Sequence, residues 1–535
     1  MTTLTPFRSP MTTGSDGFGS LLRAEWTKFW TVRGWVIGML VGLVVFVGLG
    51  ALTGANSQCS FQPNGSTGPQ ACPAPPTGPG GEWVTDSFYF VHQPLGTDGS
   101  ITVRVTSLTG LYSAQGGVAA GQNPTAGMTP GVQPWSKAGI IITASTTQGS
   151  AYAAMMVTGD HGVRMQWDYV NDLAGLAGKV SAASPRWLRL TRSGDVIRGY
   201  DSADGAHWTL VGTATLAGLT GDAPAGLFAA TPGYTVTSNG LGTSSAKGGS
   251  ALAAGAFDNV SLQGSRSSGS SGRWTGEAIG ANGPAGALPA SAQGFTQAGD
   301  RYTVSGSGDI APAGGVDAGS TVENTLVGAF AALIAVVVIG VMFITAEYRR
   351  GLIRTTFAAT PRRGRVLAAK AVVLAAVTLV TGLIAVAVVI PLGEHLLREN
   401  GNPIYPVSVF TEARIAVGTA ALLAVCAVLA LAVGALLRRS AAAVTAVIAG
   451  VVLPYLLATI PGVLPTGAEE WLVRITPAAA FAIQQGTPAY PQVTATYTPG
   501  NGYFPLAPWA GFAVLCTWTA AALALAVFVV RRRDV

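Results

Sequence analysis

The chain has 535 residues, a formal charge of +6 and a mean hydropathy of +0.42, with 49% hydrophobic and only 10% charged residues. Soluble domains carry about 25% charged residues, so an ordinary soluble enzyme or binding domain is excluded and a membrane protein is indicated. The basicity is topological: residues 1–50, 347–370, 438–439 and 531–535 hold a net +12 and the remainder a net −6, which leaves no separate basic patch for a nucleic acid.

Residues 1–16 are polar, without the apolar core of a signal peptide, and read as a disordered tail. Over 17–34, Phe18, Leu21, Leu22, Trp26, Phe29 and Trp30 recur at helical spacing, while Arg23, Glu25 and Lys28 take other positions. This pattern predicts an amphipathic helix in the inner interface, or else the cytoplasmic start of the first span. Residues 35–52 form that span, near the lower length limit for crossing a bilayer. A Pro/Gly/Ser-rich linker follows over 53–82. Within it Cys59 and Cys72 flank a stretch that topology places outside, where oxidation is possible, and the reading favours a disulfide. Cys426 and Cys516 lie in apolar runs and read as small core residues. His92, His161, His207 and His395 show no metal-ligand spacing.

From Trp83 the pattern changes to short alternating runs such as SITVRVTSL, AGIIITAS, GVRMQWDYV, WLRLTRSG and AFDNVSL, separated by Gly, Asp, Asn and Pro turns. These predict an extracellular all-β sandwich. Residues 263–300 are Gly/Ser/Ala-rich and linker-like, and RYTVSGSGDI at 301–310 reads as one more strand, which closes the domain at 83–310. Further spans are expected at 324–346, 366–392, 413–436, 441–461 and 508–530. Arg438 with Arg439, and Arg531 to Arg533 in the tail 531–535, mark inner ends, giving about six transmembrane helices with both termini cytoplasmic. The outer loop 462–507 carries EEWLVRITPAAAFAIQQG, helix-compatible pieces broken by Pro477, which read as re-entrant or interfacial helices.

The stretch MFITAEYRRGLIRTTFAATPRRGRVLAAK at 342–370 joins two spans. Its seven basic residues, Arg349, Arg350, Arg354, Arg362, Arg363, Arg365 and Lys370, face one acid, Glu347, and that bias keeps the 347–365 loop in the cytoplasm. Residues 348–358 are helix-compatible despite Thr355 and Thr356, and Pro361 ends or kinks that helix. Anchoring to anionic lipid is the plainer use of such arginines.

AEYRRGLIRTT and ATPRRGRVLAAK resemble the loop between the second and third spans in permease subunits of type-2 ABC exporters, the actinobacterial multidrug-type branch especially. LLRAEWTKFWTVRGW resembles the entry helix of the same family. The resemblance implies a membrane all-α fold, an ABC ATPase subunit as partner, a second permease copy or homologous permease as dimer mate, and residence in the cell membrane. It implies a coupling role for Glu347, Arg349, Arg350, Gly351, Arg354, Thr355, Pro361, Arg362 and Arg363, with Glu347 and Arg350 for orientation and Arg354, Arg362 and Arg363 for contact. Glu25, Trp26 and Lys28 fall in the entry helix. No Gly-x-x-x-x-Gly-Lys-Ser/Thr loop occurs, so ATP and magnesium belong to the partner and no cofactor is expected on this chain. The outer pieces at 462–507 resemble the half-helices that cap the exit path in these exporters. Charges are sparse in the apolar runs, which suits an apolar or amphiphilic substrate.

WSKAGIIIT, PRWLRLTRSGDVIRGYDSADGAHWTLVG and AFDNVSL resemble jelly-roll modules of the concanavalin-like, laminin-G-like class. In that class the 301–310 wording precedes the DSFYFV strand, whereas here it follows the domain; this implies a circular permutation in which 301–310 pairs near 86–91. Trp167, Tyr169, Trp187, Tyr200 and Trp208 could form a glycan-stacking surface, although core or edge packing is the commoner use of such aromatics. The competing function is a membrane-anchored protein that binds or senses surface glycan or cell-wall polymer.

Overall fold

The structure is a computed structural model that describes residues 17–61, 70–113, 125–240, 243–264, 273–280, 288–314, 319–352, 362–460, 464, 467–493, 495 and 497–532. The chain divides into a helical unit (1–72, 320–487 and 498–535) and a β unit (73–319 and 488–497).

In the helical unit, α1 (Phe18–Thr31) leads through Val32 into α2 (Arg33–Asn56). Then come α3 (Gly328–Arg349), preceded by a 3-10 turn at Val322–Leu326, α4 (Arg363–Glu399), α5 (Val409–Leu437), α6 (Ser440–Thr459), the short α7 (Ala468–Ile475) and α8 (Pro508–Arg532). Six of these helices, α2 to α6 and α8, are long and apolar enough among the described residues to cross a membrane. Small residues let them approach closely. A Cβ on Gly340 of α3 would lie 2.6 Å from the Ala427 carbonyl oxygen of α5. α5 starts on a Ser408 side-chain cap that accepts from the Thr411 N–H. α4 runs through Pro391 and on to Glu399, and α6 through Pro454 to Thr459, so both prolines lie inside helices.

The 462–507 loop holds a fully buried 3-10 segment, Pro477–Gln484, packed against α8 and α5. Two side chains hold the backbone that leaves it: Glu323 accepts from the Gly486 N–H and Arg414 donates to the Gln485 carbonyl. Cys59 and Cys72 are disulfide-bonded, with their Cα atoms 5.6 Å apart. Their N–H groups donate to the carbonyls of Asn400 and Gly401, each at 3.2 Å. The bridge therefore pins the chain after α2 to the chain after α4, so this part of the 53–82 linker is held.

The β unit is a sandwich whose strands, in chain order, are β1 (Val84–Asp86), β2 (Phe88–Leu95), β3 (Asp98–Tyr112), β4 (Lys137–Thr143), β5 (Tyr152–Thr158), β6 (Val163–Trp167), β7 (Asn171–Ala174), β8 (Arg186–Ser193), β9 (Val196–Ser202), β10 (Thr209–Thr215), β11 (Ala223–Ala230), β12 (Ala251–Gly264), β13 (Thr275–Ile279), β14 (Gly294–Ala298), β15 (Arg301–Gly306) and β16 (Ile310–Pro312). One antiparallel sheet has the order β7-β6-β5-β4-β11-β2-β13, the other β10-β9-β8-β3-β12-β15-β14. Alternation sends Ile140, Ile142, Met155 and Leu227 from the first sheet against Val103, Val105, Leu188 and Leu190 from the second. A smaller cluster, with Phe90, Ile141, Tyr152 and Phe228, lies on the other face of the first sheet under Val84 and Ile310.

Two expectations change here. The 263–300 stretch contains β13, paired with β2, and β14, paired with β15. Its small residues hid strands that need little side-chain volume at a sheet edge. The 301–310 segment also divides: β15 pairs with β12 in the second sheet, while β16 returns to β1 with Ile310 opposite Asp86. Both ends of the inserted chain thus meet in one strand pair. Residues 488–497, ahead of α8, belong to this unit too, and Gln492 Nε2 donates to the carbonyls of Tyr169 (3.3 Å) and Val170 (3.1 Å).

Candidate coupling site

At the end of α3 nearest the 347–365 loop, four charged side chains from three helices converge. Lys370 of α4 lies with Nζ 2.7 Å from Glu25 Oε2 of α1 and 2.7 Å from Glu347 Oε1 of α3. Lys28 of α1 adds contacts of 2.8 Å to Glu25 Oε1 and 3.3 Å to Glu347 Oε1. The side chains of Lys370 and Glu25 are 1% and 3% exposed, whereas that of Lys28 is 43% exposed. Two acids and two bases make the group neutral, the condition under which charge survives away from water. Phe343 closes one side, its ring 4.6 Å from Lys370 Nζ, and Phe29 and Trp35 meet that ring edge-on. Burial acts to lower the pKa of Lys28, but hydrogen bonding and charge from Glu25, then Glu347, outweigh it and the net shift is upward. Glu347 Oε2 is buried without a hydrogen-bond partner.

The group explains why α1 runs the way it does. Glu25 and Lys28, set apart from the apolar stripe in the sequence, turn inward, while Trp26 and Trp30 are 45% and 50% exposed. For a helix in a membrane interface the apolar surroundings are the bilayer itself, and the protein interior supplies the counter-charges.

The remaining loop residues fall in distinct places. Arg349 and Arg350 are exposed; Arg350 caps the end of α3, and Gly351 follows with φ +67°, a left-handed conformation that glycine adopts without strain. Arg362 is exposed just before α4. Arg363 instead donates to the Val530 carbonyl of α8 at 3.2 Å, which ties two helix ends together. Arg354, Thr355 and Pro361 lie outside the described residues.

The aromatic set in the sandwich does not come together as one surface. Tyr169 is buried, its hydroxyl donating to Asp86 Oδ2 at 2.8 Å. Trp167 is in the first sheet and packs against the core. Trp187, Tyr200 and Trp208 belong to the second sheet or its margin, but the Arg189 guanidinium lies 3.9 Å from the Trp208 ring centre and Arg104 5.8 Å from that of Trp187. Arg104 is in turn held by both Asp258 carboxylate oxygens. Arginine already occupies a face of each of the two tryptophans.

Fold and site together define a polytopic membrane protein with a β-sandwich inserted between its first two spans and a charged hub where a loop leaves the helices. A family model described as ABC-2 family transporter protein matches residues 202–535, and the chain belongs to that family. No curated protein sequence matches it. Solved structures show weak likeness. Among them are the GH43 protein BlXynB from Bacillus licheniformis (16% identity, 29% of this chain and 26% of that one, TM-score 0.17) and scytalido-glutamic peptidase (9%, 41% and 98%, 0.24). A functionally unknown protein from Saccharomyces cerevisiae is a third (18%, 40% and 95%, 0.21). The chain thus spans about a quarter of BlXynB, and at these scores none of the three bears on activity.

Proposed function

We propose that this permease is the membrane subunit of an ATP-driven exporter, that a separate ABC ATPase docks on the 347–365 loop, and that two permease copies, identical or homologous, form the pathway. ATP and magnesium are held by the ATPase. The substrate is apolar or amphiphilic and moves outward across the cell membrane, with the loop and both termini on the cytoplasmic side.

The observation that carries this reading is the position of Glu347 and Lys370 at the two ends of the loop region, joined at 2.7 Å and fastened together to α1. A force on the intervening residues would reach α3, α4 and α1 through this one ion cluster, with a second path through Arg363 to α8. The exposed side chains of Arg349, Arg350 and Arg362 suit docking on carboxylates through their planar forks. Arg363, engaged with α8, serves to hold the helix ends. The glycan reading gains nothing comparable, since Tyr169 is buried and arginines lie over Trp187 and Trp208.

The test is co-purification of the ATPase with the permease and its ATP hydrolysis. Arg349→Gln with Arg350→Gln should reduce recruitment by an order of magnitude or more, since one desolvated arginine contact is worth about 2–5 kcal/mol. Glu347→Gln should leave recruitment intact while uncoupling hydrolysis from transport. Wild-type recruitment and coupling in both variants, at equal membrane insertion, refute the assignment.

A further inference from the structure

Among the described residues two lysines are fully buried, and they are satisfied differently. Lys370 has two carboxylates. Lys137, the first residue of β4, has one: its Nζ is 2.6 Å from Asp309 Oδ1 and 2.7 Å from the Ile310 carbonyl. The two side chains are 0% and 9% exposed. By strand alternation Lys137 shares its face with Ile141, in the small apolar cluster beneath β16. Asp309 Oδ1 also accepts the Ile310 N–H at 2.8 Å, so the carboxyl group is fixed in place.

We propose that Lys137 and Asp309 are joined by an amide bond, a cross-link that the sandwich forms within itself after folding. Bond formation begins with a proton passing from the ammonium to the carboxylate along the hydrogen bond that joins them. That leaves a neutral amine beside a neutral acid, and only the neutral amine has a lone pair to attack. The carboxyl carbon lies one C–O bond beyond an oxygen already 2.6 Å from Nζ, in the range of near-attack contacts, roughly 3–3.5 Å, where fixed geometry replaces a very high reactant concentration. The Nζ–Cγ bond forms and one Cγ–O bond breaks. The departing oxygen carries two protons that began on the ammonium group and leaves as water. Ammonium and carboxylate give amide and water, so no oxidant or other reactant is required.

The test is the intact mass of the purified full-length permease, denatured and with its disulfide reduced. Wild type is expected at one water below the mass of Lys137→Arg, after correction for the substitution, and digestion should give a branched peptide joining the segments around residues 137 and 309. A wild-type mass with no water missing overturns the proposal. So does a water missing equally from Lys137→Arg, which would place the dehydration elsewhere, for example at an Asp-Gly pair such as Asp98-Gly99.

Discussion

Replacing Lys370 by methionine keeps the side-chain volume near constant and removes the central cation of the inner charge cluster. Glu25 and Glu347 would then share Lys28 alone, which sits 3.3 Å from Glu347 and is the one member with substantial exposure. A neutral group becomes one with a net negative charge held away from water. Breaking a buried pair by removing one partner costs about 3–5 kcal/mol, and each kcal/mol shifts the midpoint of a unit this size by about 2–4 °C. A fall of roughly 10 °C is therefore expected for the helical unit in detergent, followed by tryptophan fluorescence on heating. Arg398→Met is the control, because the Arg398–Glu394 pair at 2.9 Å is exposed on its cationic side and such pairs are worth about 0–1 kcal/mol. Adding Glu347→Gln to Lys370→Met restores neutrality and should recover more than half of the loss. If Lys370→Met unfolds with the Arg398→Met control, or if the double variant is the least stable of the set, the cluster does not hold the helices together as described.

Three further outcomes follow from separate parts of the structure. Burial raises both Asp86 and Asp168 to about 6, so the stability they contribute is complete below about pH 4 and is lost as the pH rises through 6. The sandwich should accordingly melt higher at pH 5 than at pH 7.5, by an amount that Asp86→Asn reduces; identical midpoints at the two pH values would contradict this. Reducing the Cys59–Cys72 bridge should lower the stability of the helical unit by up to about 3 kcal/mol on the chain-entropy estimate, because the bridged segment is fastened to Asn400 and Gly401; an unchanged melting curve with reductant present would show the anchorage to be idle. Arg363→Lys should loosen α4 from α8, seen as faster hydrogen exchange at residues 526–532, with ATPase recruitment unchanged. Lost recruitment without any change in exchange would return Arg363 to the docking surface.

Long-range apolar runs made the six spans legible, because a twenty-residue hydrophobic stretch has few other uses, and alternation announced the strands from 83 to 262. What stayed hidden depended on distance in the chain or on small side chains. Glu25 and Lys370 are 345 positions apart, and nothing local distinguishes either from an interfacial charge. The usable hint was their company: Glu347 and Lys370 bracket the loop, and Glu25 is the one acid in the amphipathic entrance helix. β13 (TGEAI) and β14 (GFTQA) each carry a single large apolar residue, Ile279 and Phe295, among Gly, Thr, Ala, Glu and Gln, a vocabulary close to that of linkers, and their partners make them strands. The Pro477–Gln484 segment was readable as helix-compatible but not as buried, since an Ala-rich turn fits an interface as well as an interior. For the aromatics the residue types were right for stacking on sugar, and the arginines that cover them come from neighbouring strands whose pairing the sequence does not state.

The sandwich is written in two places along the chain. Residues 73–319 supply the strands, but 488–497 are folded with them, held by the Gln492 amide on Tyr169 and Val170. Excision of the insert by joining residue 72 to residue 320 would therefore not be a clean deletion. It would strand a ten-residue graft between the buried 3-10 segment and α8. Anyone moving this module into another permease has to carry both pieces, and a relative that lacks the insert should carry a shorter last outer loop as well.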